Sequence, residues 1–234
     1  RDLQAHIAQV RAEGFAEYAI RPEGARELYA PVRYVEPFVG ANLRAFGYDM
    51  FAEGVRRAAL ERARDTGESA LSGKVVLIQE THQSKHQAGT LLYLPVYRPG
   101  LPIATVEGRR RAVRGYVYAA FRMNDLMTSV LGRDFADIDV EVFDGPTVVP
   151  QALLFDGDGT LHAFAQNYRT PFRSTRQSAV AGRQWVVQFN ARPNYLSGAY
   201  GITPVAALLG GSTIGALLFG LTWVQANTRV KAQR

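Results

Sequence analysis

The sequence contains no cysteine, so a disulfide framework and thiolate metal sites are both excluded. That absence fits the cytosol and the periplasm alike and fixes no compartment. Lysine is scarce, occurring only at Lys74, Lys85 and Lys231, so arginine carries most of the net charge of +6. No Lys, Asp or Glu stands between Thr160 and Val230, and no charged residue of any kind between Pro193 and Thr228. The chain opens on Arg1 rather than Met and has no signal-like apolar start, so it is expected to be a fragment whose N-terminus is missing.

What is present is ordinary for a folded protein. With 234 residues, 47% hydrophobic and 21% charged, the chain can form one large or two small globular units, and disorder is not its theme. A basic balance by itself selects neither nucleic acid nor anionic lipid. The densest basic patch is Arg109, Arg110, Arg111 and Arg114. It lacks the interleaved aromatic or base-reading residues that nucleic acid would need, so it reads as a solvated helix face, and no nucleic-acid partner is expected.

Periodicity gives the elements. A short helix is expected over 2–13, strands over 15–20 and 28–35 (the second weakened by Pro31), and a strong helix from Met50 to a Gly67 cap. In that helix Met50, Val55, Leu60 and Ala63 mark the apolar face, while Arg56, Arg57, Glu61, Arg62 and Arg64 mark the solvent side. Strands are expected over 74–79, 90–97 and 115–122, with helices over 106–113 and 123–131. In the strand 90–97, Leu91, Tyr93, Pro95 and Tyr97 face one way and Thr90, Leu92, Leu94 and Val96 the other. A second, smaller β unit follows: strands over 138–143 and 184–189, and a hairpin joining 152–155 to 161–164 through Asp156-Gly157-Asp158-Gly159.

Val205 to Val224 is a strongly apolar run of twenty residues. At about 1.5 Å per residue it spans roughly 30 Å, the hydrocarbon thickness of a bilayer. Pro204 stands near its start, Trp223 suits the headgroup zone, and Arg229, Lys231 and Arg234 follow at once. These predict a plasma (inner) membrane span with a cytoplasmic C-terminus and residues 1–200 outside. Ala207, Gly211 and Gly215 make a small-residue face on which two such helices could meet, so a homodimer is an expectation.

Chemistry-bearing clusters are few. Leu153 to Leu161 resembles the first motif of haloacid dehalogenase-type phosphatases, with Asp156 as nucleophile and Asp158 as acid/base. That chemistry needs a downstream Lys and an acidic pair, which the chain lacks before residue 230, so a polar turn is the favoured reading and no catalytic residue is assigned. Glu80, His82 and His86 could cluster round a metal, but they lie beside Lys85 in a loop-like stretch, and no metal or other cofactor is expected.

Several segments, taken in order, resemble CHASE domains, the extracellular sensory modules of receptor histidine kinases and bacterial diguanylate cyclases. They are Arg26-Glu27-Leu28-Tyr29-Ala30-Pro31-Val32, Gly47-Tyr48-Asp49-Met50, Arg62-Ala63-Arg64-Asp65-Thr66-Gly67, Glu80-Thr81-His82, Leu94-Pro95-Val96-Tyr97, and Gly115-Tyr116 to Phe121. Val140 to Asp144 and Ala181-Gly182-Arg183-Gln184-Trp185 look like the membrane-proximal part of such modules. The resemblance implies an α+β fold: two stacked PAS-like antiparallel-sheet units, a distal one over 1–133 and a proximal one over 134–200. One C-terminal transmembrane helix then occupies 201–228. It further implies a dimer, with a first membrane helix, a stalk and part of the distal unit upstream of Arg1, and a histidine kinase or nucleotide cyclase as output.

In the plant cytokinin receptors of this family a small adenine-type ligand lies in the distal unit. The strands lining it correspond here to Val75–Gln79, Thr90–Tyr97 and Tyr116–Phe121. The acidic residue that holds the ligand falls at Arg56, and a small residue of the third strand at Tyr118. Both departures weigh against cytokinin recognition, and the reversed charge suits an anionic small molecule. The ligand-binding positions implied are Arg56, Ser72, Ile78, Tyr93 and Tyr118. The rival expectations are a dimerisation or protein-binding module without a small ligand and, behind it, the phosphatase.

Overall fold

The computed structural model describes residues 3–80, 86–132, 137–165, 170, 172–192, 195 and 203–232. It is an α+β chain with two antiparallel sheets and a long apolar C-terminal helix. The first region starts with helix α1 (Leu3–Ala12) and contains α2 (Gly54–Thr66), β1 (Ala70–Leu71), β2 (Gly89–Tyr97), α3 (Val106–Ala112), β3 (Val113–Arg122) and α4 (Met123–Leu131). Its sheet runs β1-β2-β3. The second region holds β4 (Ile138–Asp144), β5 (Leu153–Asp156), β6 (Arg173–Val180) and β7 (Arg183–Ala191) in the order β5-β4-β7-β6. Helix α5 (Thr203–Ala232) follows.

Local chemistry sets α2. The Glu53 carboxylate accepts the first free amides, those of Val55 and Arg56, and Gly67 closes the helix at φ +79° with its N–H on the Ala63 carbonyl. The helix buries Ala59, Leu60 and Ala63 against Leu91 and Tyr93 of β2, with Met50 and Phe51 alongside. Each large apolar side chain so buried contributes about 1.5–3 kcal/mol. The sequence-predicted face is rotated, however. Val55 is exposed, whereas Arg56 and Arg64 are buried. Pattern reading assigns every arginine to water, but here the surroundings supply oxygen acceptors: the Val76 carbonyl for Arg56 and the Asp65 carboxylate for Arg64.

The strands predicted over 15–20 and 28–35 do not form. Their chain is extended but irregular, touching its neighbours through single bridges at Arg21–Tyr48 and Pro31–Asp49. Asp49 organises it instead. This fully buried carboxylate accepts the Ala30 and Phe51 amides at 2.7 and 3.1 Å and pairs with Arg26 at 3.2 Å. Gly47 makes the crossing possible: a Cβ there would lie 2.2 Å from the Ala19 carbonyl oxygen. The run 74–79 is also not a strand, apart from one bridge at Val75–Gly89, and a 3-10 turn covers Ile78–Glu80. Side chains have taken its backbone groups: Asp144 accepts the Lys74 amide, Arg56 donates to the Val76 carbonyl, and Arg44 to the Gln79 carbonyl. Those three groups are lost to a ladder, and Val75 alone pairs with Gly89 in strand fashion.

The second sheet carries one strand that periodicity does not find. β6 reads RSTRQSAV, almost wholly polar and exposed, yet it pairs along its length with β7 through the tight turn Ala181-Gly182. It is an edge strand, and its arginines blunt that edge. The hairpin expected at 152–164 is absent. Residues His162–Phe164 form a 3-10 turn, because Asp156 Oδ1 draws in the amides of Asp158 and Gly159 at 3.1 and 2.8 Å.

The two regions join at the β6–β7 turn. The Ala181 carbonyl accepts the Leu71 amide at 2.9 Å, and the Gly182 carbonyl accepts Arg62 at 3.1 Å. Asp144 holds Arg183 in two bonds of 2.5 and 2.7 Å and also accepts the Lys74 amide at 2.8 Å. Within α5, Pro204–Gln225 has a mean hydropathy of 1.8 and is wholly unburied, so it is long and apolar enough to cross a membrane. Its threonines turn inward: Thr213 and Thr222 donate to the carbonyls of Leu209 and Leu218.

Candidate ligand pocket

The first sheet and α2 enclose a small cavity. From α2 comes Arg56, only 4% exposed, with its guanidinium 5.4 Å above the centre of the Tyr48 ring. One terminal nitrogen donates to the Val76 carbonyl at 2.7 Å, and the other reaches Glu53 at 3.2 Å. Its Nε has no hydrogen-bond partner among the described residues. From β3 comes Tyr118, opposite Tyr93 of β2, with ring centres 6.1 Å apart. The buried Tyr118 hydroxyl likewise has no partner among the described residues. Burial pushes its pKa up, and the nearby Arg56 charge opposes that shift.

Arg56, Ile78 and Tyr118 line the cavity with Met50, Leu77 and Leu91. The other two predicted positions are elsewhere. Tyr93 is 1% exposed in the core, its hydroxyl 3.5 Å from the Met50 sulfur, and burial drives its pKa far upward. Ser72 is fully buried and ties the backbone, donating to the Gly73 carbonyl and accepting the Leu91 amide. The free volume is about 10 Å³, the room of one water molecule. Small-molecule pockets occupy roughly 300–1,000 Å³. The cavity is therefore too small for a metabolite, which would have to displace part of its wall.

A larger cleft of about 270 Å³ lies between α2 and the β7 end of the second sheet. Gly54, Ala58, Arg62, Gly73 and Arg183 are among its lining, and none of the sequence candidates is. The small residues of α2 at four-residue spacing were the one signal for it.

The remaining clusters have structural partners. Glu80 is buried, pairs with Arg122 at 2.7 Å and accepts the Gln87 amide at 3.3 Å, while His82 lies outside the described residues. The arginine patch is not simply a solvated face. Arg109 donates to the Asp65 carbonyl at 2.8 Å, and Arg110 grips the Asp65 carboxylate at 3.0 and 2.6 Å, stapling α3 to α2. Hydrogen bonds from Arg110 and then Arg64 hold the Asp65 carboxyl well below the usual range. Asp156 caps its own turn, on an edge strand of an antiparallel sheet.

A family model described as the CHASE domain matches residues 1–155. The hybrid signal transduction histidine kinase A of Dictyostelium discoideum is 25% identical over 227 residues, which cover 89% of this chain and 10% of that protein. The probable histidine kinase 6 of Oryza sativa subsp. japonica is 31% identical over 155 residues, covering 62% of this chain and 15% of that protein. The chain thus spans a small part of the length of the curated relatives it matches.

Proposed function

The chain belongs to the CHASE domain family, and on that premise we propose that it is the extracytoplasmic ligand-sensing region of a transmembrane signalling receptor. In this reading residues 1–133 are a membrane-distal PAS-like sensory unit and 134–200 a membrane-proximal one, with the span within 201–228. The basic residues Arg229, Lys231 and Arg234 support a cytoplasmic C-terminus in this reading. The output, a histidine kinase or a diguanylate cyclase, belongs to the longer protein, and this segment transfers signal without catalysis.

One observation carries the ligand reading. Two buried donors, Arg56 Nε and the Tyr118 hydroxyl, belong to residues bordering the same small cavity and have no partner among the described residues. Leaving buried donors unmade costs about 1–3 kcal/mol each, and more for a charged one. A small molecule carrying a carboxylate or another strong acceptor group relieves both. Opening the cavity to admit it selects a second conformation, and that difference is the signal. The sheet then passes it through the joint at Ala181-Gly182 to the second region, across a dimer formed along the Gly211/Gly215 face.

A thermal-shift screen of small carboxylates tests this, with Arg56→Glu alongside. A hit that Arg56→Glu abolishes in a folded sample supports the reading, since binding to the native state raises the unfolding temperature by mass action. A hit indifferent to Arg56→Glu moves the site elsewhere. The second reading, a dimerisation or protein-binding module, is favoured by exposed apolar residues on the outer face of the first sheet: Leu94, its cross-strand partner Val117, and Val96. No hit across the screen would transfer the assignment to it.

A further inference from the structure

The second sheet region buries carboxylates that the sensory reading does not use. Asp139 and Glu141 lie two residues apart on β4, so both point to one face of the sheet, and both are fully buried. Glu141 is satisfied by backbone amides, accepting from His162 and from Ala163. Asp139 is only half satisfied. One oxygen accepts a 3.4 Å bond from Asn190, and Oδ1 has no hydrogen-bond partner among the described residues. A buried carboxylate oxygen left in this state is costly unless a cation meets it.

We propose that Asp139, Asp158 and His162 form a binding site for one divalent transition-metal ion. One potential ligand atom from each of the three lies within 4.8 Å of the others. Their elements differ: Asp139 comes from the interior strand β4, Asp158 from the turn after β5, and His162 from the 3-10 turn that Glu141 anchors by its backbone. Glu141 is thus a positioning residue, setting the imidazole over the site through the amides of His162 and Ala163. Asp158 is exposed and leaves one side open for water ligands.

An ion at about 2.1 Å from each donor needs donor spacings of roughly 3–4.2 Å, so the site closes by at most about 1.8 Å on binding. Two contacts must yield. Asp158 Oδ2 is 3.0 Å from His162 Nε2, and the same oxygen pairs with Arg192 at 3.7 Å, the outer limit of an ion pair. An imidazole nitrogen beside carboxylates favours Zn²⁺ or Mn²⁺ over Ca²⁺ or Mg²⁺. The metal would fasten the β5 turn to β4.

Isothermal titration of the full chain in detergent, stripped with EDTA and desalted, with ZnCl₂ and with MnCl₂ tests the proposal. We expect one ion bound per chain, and a Kd weakened roughly tenfold or more in both Asp139→Asn and Asp158→Asn. Far-UV circular dichroism checks the fold. Asp158 lies on an exposed turn, so that variant carries the test should Asp139→Asn fail to fold. Absence of saturable binding of either ion, or binding unchanged in folded Asp158→Asn, overturns the proposal.

Discussion

The two sheet regions bury charge differently. The first encloses both signs, the guanidiniums of Arg56 and Arg64 and the carboxylates of Asp49 and Glu80, whereas the second encloses the carboxylates of Asp139 and Glu141. Their solutions mirror each other. Arg56 donates to a main-chain carbonyl, whereas Glu141 accepts from main-chain amides. In each case backbone groups outside the regular ladder carry much of the load. A buried charge therefore need not rely on an opposite side chain alone, provided nearby turns leave carbonyls or amides free in the right place.

The largest effect is expected where the first region departs from this pattern and uses a true buried ion pair. Asp49→Ala removes the acceptor for two amides and the partner of Arg26. It should cost about 3–5 kcal/mol in denaturant unfolding. A loss below about 1 kcal/mol would mean that this carboxylate does not organise residues 15–35.

Asp144→Ala comes next, because it strikes both regions at once by freeing Arg183 and the Lys74 amide. We expect a loss of about 2–3 kcal/mol. Trp185 fluorescence, reporting on the second sheet, should then decouple from unfolding of the first. Coincident transitions in the variant would show that the regions are held together by other contacts.

Acid should act on the α2–α3 staple with a definite sign. The Asp65 carboxyl lies below its unfolded value, so its contribution is complete above about pH 4 and is lost as pH falls. Allowing for solvent screening, the contribution is about 0.5–1 kcal/mol. Asp65→Asn should remove part of that amount from the stability difference between pH 6 and pH 3, because the folded carboxyl is still ionised at pH 3, and an unchanged pH profile would refute it.

The smallest effect on stability is expected from Tyr118→Phe. The hydroxyl it deletes has no partner among the described residues, so stability should stay within about 0.5 kcal/mol of the parent or rise slightly. Any carboxylate found in the screen should nonetheless bind more weakly. A clear loss of stability would show that the hydroxyl is already satisfied, by a water for instance.

Much of the architecture was legible in the sequence. The strands β2 and β3, the helices α2 to α4, the Gly67 cap and the apolar run of α5 each carry a local signal. The facing of β2 also holds, with Leu91 and Tyr93 buried and Leu94 and Val96 exposed. What could not be read depends on distant partners. Arg56 looks solvated until the Val76 carbonyl is placed beside it. Residues 74–79 look like a strand until side chains from elsewhere take their backbone groups. β6 has no apolar alternation at all, and only its turn with β7 betrays it. The candidate pocket was partly legible: Arg56, Ile78 and Tyr118 meet at one cavity, while Ser72 and Tyr93 are set in the core behind it. Asp139 and Glu141 sit in an alternating strand and read as its wet face, although the sheet is covered on that side.

Strand β7 has a mechanical consequence. Its nine residues extend about 26 Å from the Arg183 end, beside the turn that touches Leu71 and Arg62, to Ala191 on the chain leading to α5. It lies between β4 and β6, hydrogen-bonded along both sides, so it cannot buckle alone. It behaves as a strut with one end bearing on the first sheet. Under the proposed function, a displacement of that sheet would run lengthwise along β7 to Ala191, with little taken up by bending within the strand.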